Sequence, residues 1–111
     1  ADPDPLARKF ACFAVGNAAF HSDALYASLA DAVGPLIAAL GDSEEKTRAN
    51  AAGALGNLVR NGGALSKDVA GTGGVGALLD VATWDPAAQP RRIALYSLGT
   101  CCAYAPCREA L

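Results

Sequence analysis

Apolar side chains recur along this chain at the spacing of a helix with one buried face. Ala11, Ala14, Val15 and Ala18 follow the i, i+3, i+4, i+7 rhythm, and so do Ala51, Ala54, Leu55 and Leu58. A third set, Ala94, Ser97, Leu98 and Cys101, keeps the rhythm with one hydroxyl in an apolar place. Polar punctuation precedes each stripe at a constant distance: Asp2 with Arg8, Asp42 with Arg48, and Asp85 with Arg91. Each stripe also contains a glycine followed by a small polar residue, Gly16-Asn17, Gly56-Asn57 and Gly99-Thr100. The glycines lie 40 and then 43 residues apart. Gly inside a helix costs about 1 kcal/mol relative to Ala. The same cost at the same place in three helices predicts the close approach of a neighbouring helix there.

The pattern predicts long helices from about residue 3 or 5 to 20 and from 42–43 to about 60–62. Asp2 or Asp4 caps the first, and Glu44 and Glu45 sit in the positive first turn of the second. A third begins at Asp85-Pro86, but Pro90 is incompatible with one regular helix, so a short turn and then a helix over 90–104 is expected. Shorter apolar segments fill the gaps: 25–29 and 65–69 as one short helix, 33–40 and 75–82 as a second, the former ended by Gly41. The three extra residues of the later unit fall between Asn57 and Asp85, and the run Gly71-Thr72-Gly73-Gly74 is the natural place to absorb them.

A fixed period in the forties marks a helical solenoid of the armadillo or HEAT kind, in which each unit buries its apolar face against its neighbours. The order of short, medium and long helix is that of the three-helix armadillo layout rather than the two-helix HEAT one. The expected fold is all-α, a right-handed α-solenoid of about two and a half units. Residues 1–21 would be the third helix of a truncated unit, 22–62 and 63–105 full units, and 106–111 the start of the next. Polar capping repeats are missing at both ends, so a fragment of a longer array is expected, with adjacent repeats of the same chain among its partners.

Composition narrows the function. Charged residues make up 18% of the 111 residues and the formal net charge is −2, which gives no general attraction to nucleic acid or an anionic membrane. No apolar run reaches the roughly 18 residues that a bilayer span needs. The four cysteines, Cys12, Cys101, Cys102 and Cys107, lack the paired-knuckle spacing of a zinc site. Adjacent Cys101 and Cys102 point about 100° apart on a helix and make poor disulfide partners, so buried thiols in a reducing cytoplasm are expected. His21, the single histidine, has no nucleophile or carboxylate patterned around it. Residues 71–76 spell G-x-G-x-x-G, yet residues 66–70 make a poor strand and no acidic residue follows at the required distance. A flexible inter-helix loop is expected there. No catalytic motif, cofactor or metal is expected in this segment, and a nucleotide-binding enzyme is the remote alternative.

Two stretches carry a more specific resemblance. Residues 9–21, KFACFAVGNAAFH, and 47–59, TRANAAGALGNLV, resemble the C-terminal armadillo region of Fused-type serine/threonine kinases. The resemblance covers roughly residues 8–82 and weakens at the Gly-rich stretch and at 84–90. It implies a non-catalytic kinase tail used in hedgehog-type signalling in animals, in cytokinesis in plants and in building the ciliary central pair. The implied place is the cytoplasm, with cilium or cytoskeleton as further sites. A generic armadillo adaptor, or a structural spacer in a cytoskeletal or axonemal assembly, is the alternative.

Armadillo proteins of the importin-alpha group grip an extended peptide with an aromatic-x3-Asn pair on the third helix. Asn donates to and accepts from a peptide backbone, and the aromatic ring walls a side-chain pocket. Phe13 with Asn17 matches that pair. Gly53 with Asn57 lacks the aromatic, and Tyr96 with Thr100 lacks the Asn. The implied protein-binding groove is therefore lined by Phe10, Phe13, Asn17, Asn50, Asn57, Arg60, Tyr96 and Thr100, and a receptor for nuclear-localisation signals is not expected. In a second reading, compatible with the first, Asn17 and Asn57 bond to neighbouring backbone and pin adjacent units. Arg8, Arg48 and Arg91 are expected to bond carbonyls or the acidic cap of a neighbouring unit.

Overall fold

A computed structural model describes residues 31–61 and 63–110. In chain order the elements are α1 (Val33–Ala39), α2 (Glu45–Asn61), α3 (Gly63–Gly71), α4 (Gly74–Trp84), α5 (Ala88–Cys101) and α6 (Ala105–Ala110). The described residues contain no strand, and their helices stack as an α-solenoid. The expectations that fall on residues 1–30, including Phe10, Phe13, Asn17, Cys12 and His21, lie outside the described residues.

The long helix α5 lies along α2, and their cross-contacts advance together. Lys46 Nζ donates to Gln89 Oε1 at 2.9 Å, Ser97 Oγ to the Ala52 carbonyl at 2.7 Å, and Tyr104 Oη to the Arg60 carbonyl at 2.8 Å. The two helices therefore run parallel, each contact some 43 residues from its partner in sequence. α4 packs on α5, α1 on α2, and α3 on α2 and α6. The core threads through all of them: Leu55, Leu58, Leu65, Val69, Val75, Leu78, Ala94 and Cys101 are fully buried. Small residues on the contact faces let the helices lie close.

Gly56 shows how close. A Cβ there would stand 2.9 Å from Ser97 Cβ and 3.2 Å from Ser97 Cα. This is the close approach that the periodic glycines predict. At Gly99 the expectation fails among the described residues, since a Cβ would meet nothing within 4 Å. The Gly-rich stretch is also not a flexible loop. Gly71 ends α3 and Gly74 opens α4, leaving a two-residue turn in which Gly73 takes φ 84°. Gly74 is pressed against Val69, whose carbonyl would lie 2.8 Å from an added Cβ. Pro90 begins no helix either. α5 starts at Ala88, so Pro90 falls in its first turn, where the missing N–H would have had no intrahelical partner.

Candidate functional site

Helix α2 is nearly surrounded. Between Lys46 and Arg60 the residues that are not buried, Arg48 apart, are Lys46, Asn50, Gly53, Asn57 and Arg60. At 100° per residue these five fall within about 80° of one another, so they form a single open stripe. The positions 43 residues later are Gln89, Ile93, Tyr96 and Thr100 on α5 and Ala103 just past its end, all exposed or half-buried. A Cβ on Gly53 would lie 3.5 Å from Ile93 Cγ2, so the two stripes are neighbours on one wall. Tyr96 projects from it with 72% of its surface exposed.

The described ladder residues sit as follows. Asn57 Oδ1 accepts from Arg60 Nη2 at 2.7 Å, one turn apart on α2. Asn50 is half-buried and Arg60 exposed, and both, like Asn57, make further interactions. Thr100 Oγ1 donates back to the Tyr96 carbonyl at 3.4 Å, a weak bond within α5. The structure thus gathers Asn50, Asn57, Arg60, Tyr96 and Thr100 on one face.

The Asp–Arg register has a concrete geometry. Arg48 Nη1 donates to the carbonyls of Asp42 at 3.0 Å and Ser43 at 3.3 Å, holding the turn that precedes its own helix. Its other two nitrogens reach across to the turn that leads into α5, Nε to Asp85 Oδ2 at 2.7 Å and Nη2 to Asp85 Oδ1 at 3.0 Å. Both side chains are largely buried. The Arg48 guanidinium holds the Asp85 carboxyl below the usual carboxylate range, opposed by burial and helped by the Ala87 N–H, which donates to Oδ1 at 2.9 Å. The hydrogen bond to Asp85 likewise raises the Arg48 pKa. Arg91 repeats half of this arrangement, its Nη1 donating to the Asp85 carbonyl at 2.6 Å. The pattern matches the expectation of carbonyls and a neighbouring acidic cap, and it fixes α5 to α2 rather than recruiting a ligand.

Sequence reasoning missed three contacts. Tyr104 seals the end of α2 through the Arg60 carbonyl, Ser97 seats on Ala52, and the Cys107 thiol donates to the Ser66 carbonyl at 3.5 Å. Burial pushes the Cys101 thiol up to about 12 and raises Cys107 as well. Such thiols are poor nucleophiles at neutral pH. The G-x-G-x-x-G residues are shared between the end of α3 and the first turn of α4, with a helix where a phosphate loop would need a strand. No described helix is long and apolar enough to cross a membrane.

Residues 5–58, just under half of the chain, match the family described as HEAT-like repeat. The chain is 39% identical over 97 residues to serine/threonine-protein kinase 36 of Pongo abelii and 41% identical over 97 residues to that of Mus musculus, in each case 87% of this chain. It is 44% identical over 79 residues, 60% of this chain, to serine/threonine-protein kinase TIO of Arabidopsis thaliana. The chain spans only 7% of the length of the first two relatives and 6% of the third. The chain is thus a helical-repeat segment similar to a short region of these kinases.

Proposed function

We propose that this chain is a protein–protein interaction module, part of the non-catalytic regulatory tail of a Fused-type serine/threonine kinase, and that the open wall of α2 and α5 holds an extended segment of a protein partner. The observation that carries this reading is the single open stripe on α2, continued by the stripe on α5 with Tyr96 projecting from it. A surface helix buried on all sides but one narrow polar stripe presents that stripe to something. Asn and Thr on it supply donors and acceptors for backbone, and an exposed Tyr supplies apolar area at low entropic cost.

The succession α3, α4, α5 supports an armadillo-type unit, and the resemblance to two animal kinases and a plant one supports the kinase tail. Signalling, cytokinesis or ciliary assembly are the roles that follow from that resemblance, in cytoplasm, cilium or cytoskeleton.

A random-peptide display selection against the chain tests the wall. Binders should lose at least about tenfold in affinity to Tyr96→Ala and to Asn57→Ala, with the melting temperature nearly unchanged for Tyr96→Ala. Binders indifferent to both substitutions, and sensitive instead to Lys67→Ala on α3, would move the interface to another surface and favour the structural-spacer reading.

A further inference from the structure

The contact between α2 and α5 is a template for a second face, which lies open on α5. On α2, Ala49, Ala52, Gly56 and Val59 are all buried. They fall within about 80° of one another, on the side where Gly56 meets Ser97 and the Ala52 carbonyl accepts the Ser97 hydroxyl. The positions 43 residues later, Arg92, Leu95, Gly99 and Cys102, are all exposed. Leu95, Gly99 and Cys102 point within about 40° of the direction opposite the Ile93–Ser97 side that faces α2. Four positions buried in one repeat are thus open in the next.

Two more residues follow the same rule. Arg48 gives Nη1 to its own turn, at the Asp42 carbonyl, and Nε and Nη2 to Asp85 of the next unit. Arg91 reproduces the first half through the Asp85 carbonyl, and neither its Nε nor its Nη2 has a hydrogen-bond partner among the described residues. Ile37 on α1 is half-buried and lies 3.5 Å from a Cβ placed on Gly74, at the start of α4. Leu79, its counterpart 42 residues later on α4, is exposed. Helix α6, which lies 43 residues after the start of α3, already stacks on α3. A first helix beyond the unit of α3, α4 and α5 is therefore seated in register.

We infer that the open face of α4 and α5 seats the third helix of one further repeat of the same polypeptide, and that the face dictates what this helix carries. An acid in the turn before it takes Arg91 Nε and Nη2, as Asp85 takes those of Arg48. A small residue, Gly, Ala or Ser, lies on Gly99 twelve positions after that acid, as Ser97 lies on Gly56 twelve after Asp85. A larger side chain there would hold the two helices apart. This face turns toward the next layer, and the wall with Asn57 and Tyr96 is a separate surface.

Appending a second copy of residues 69–111 after Leu111 tests the inference, because that junction keeps the 43-residue register. The appended copy carries Cys102→Ser, so that iodoacetamide labelling read by mass spectrometry follows only the original Cys102. Labelling should slow at least about tenfold relative to the unextended chain, since a docked helix buries Cys102 as Val59 is buried. The melting temperature should rise as well, because a docked unit adds a nearest-neighbour interface. Gly99→Leu in the original copy fills the seat and should restore labelling to the unextended rate, while leaving the unextended chain no less stable. Asp85→Asn in the appended copy takes the acid from Arg91 and should speed labelling roughly threefold or more.

Labelling of Cys102 at the unextended rate overturns the inference, whether or not the added residues form helix. So does protection that survives Gly99→Leu or is indifferent to Asp85→Asn in the appended copy. Protection that grows with concentration in the unextended chain, together with a dimer in sedimentation, would overturn it in favour of a second copy.

Discussion

Gly56 and Gly99 occupy the same place in successive repeats, yet substituting alanine should have opposite effects. In a helix interior Gly→Ala contributes about 1 kcal/mol of propensity at either position. At Gly99 nothing lies within 4 Å of the added Cβ, so Gly99→Ala should stabilise by most of that amount. At Gly56 the added methyl meets Ser97 Cβ at 2.9 Å and Cα at 3.2 Å, and backbone cannot rotate away as a flexible side chain can. Forcing α2 from α5 costs about 1–3 kcal/mol of overpacking, and weakening the Ser97–Ala52 hydrogen bond adds about 1 kcal/mol. Net of propensity, Gly56→Ala should destabilise by about 1–3 kcal/mol. For a domain of this size that lowers Tm by several degrees, while Gly99→Ala raises it by about 4 °C. Thermal melts followed by circular dichroism at 222 nm measure both. Adding Ser97→Gly, which removes the opposing Cβ, should recover part of the Gly56→Ala loss in a double-mutant cycle. The packing argument is refuted if the two alanine variants shift Tm in the same direction.

Other substitutions probe the remaining features. Asp85→Asn should destabilise by about 2–3 kcal/mol, since it leaves a largely buried Arg48 without its counter-charge. Because the folded carboxyl of Asp85 titrates below its ordinary value of 3.8, its contribution is present above that pH and is lost as pH falls further. Asp85→Asn should therefore flatten the acid limb of a stability profile, and superimposable limbs would contradict the pairing. Thr47 is buried with its hydroxyl lacking any hydrogen-bond partner among the described residues. Thr47→Val, which keeps the shape, should raise stability by about 1 kcal/mol in urea titration, and a fall would show that the hydroxyl is satisfied. Iodoacetamide at mildly alkaline pH should label Cys102, which is exposed, well before Cys101 and Cys107. Mass spectrometry showing equal rates would rule out the buried thiol pair.

Much of the helical frame is legible in the sequence because a buried stripe is a local signal. Ala51, Ala54, Leu55 and Leu58 place α2, and Ala94, Leu98 and Cys101 place α5, without any knowledge of what covers them. Boundaries are less legible. Pro90 marks a break only if it lies inside a helix, and whether α5 begins two residues earlier depends on the Asp85 turn, which depends in turn on Arg48. The position of the open stripe follows from helix geometry, so Asn50, Asn57 and Arg60 can be assigned to one face from spacing alone. What closes each end of that face cannot. Tyr104 reaches Arg60 and Ser97 reaches Ala52 through stacking between units, and no periodic pattern encodes a contact so remote along the chain. Gly99 shows the converse, a repeated residue whose expected neighbour is absent from the described surroundings.

Asp85 does two jobs with one carboxylate. Its Oδ1 accepts the Ala87 N–H at the entry to α5 and also Arg48 Nη2 from α2. Fraying of the first turn of α5 must therefore loosen the clamp, and releasing the clamp must free that turn. The two parallel helices open as one unit, so amide exchange at the start of α5 tracks that of α2 instead of running ahead of it as an ordinary helix end would. The pair resists peeling one helix at a time, and tension drawing α2 from α5 is borne by the Arg48–Asp85 contact.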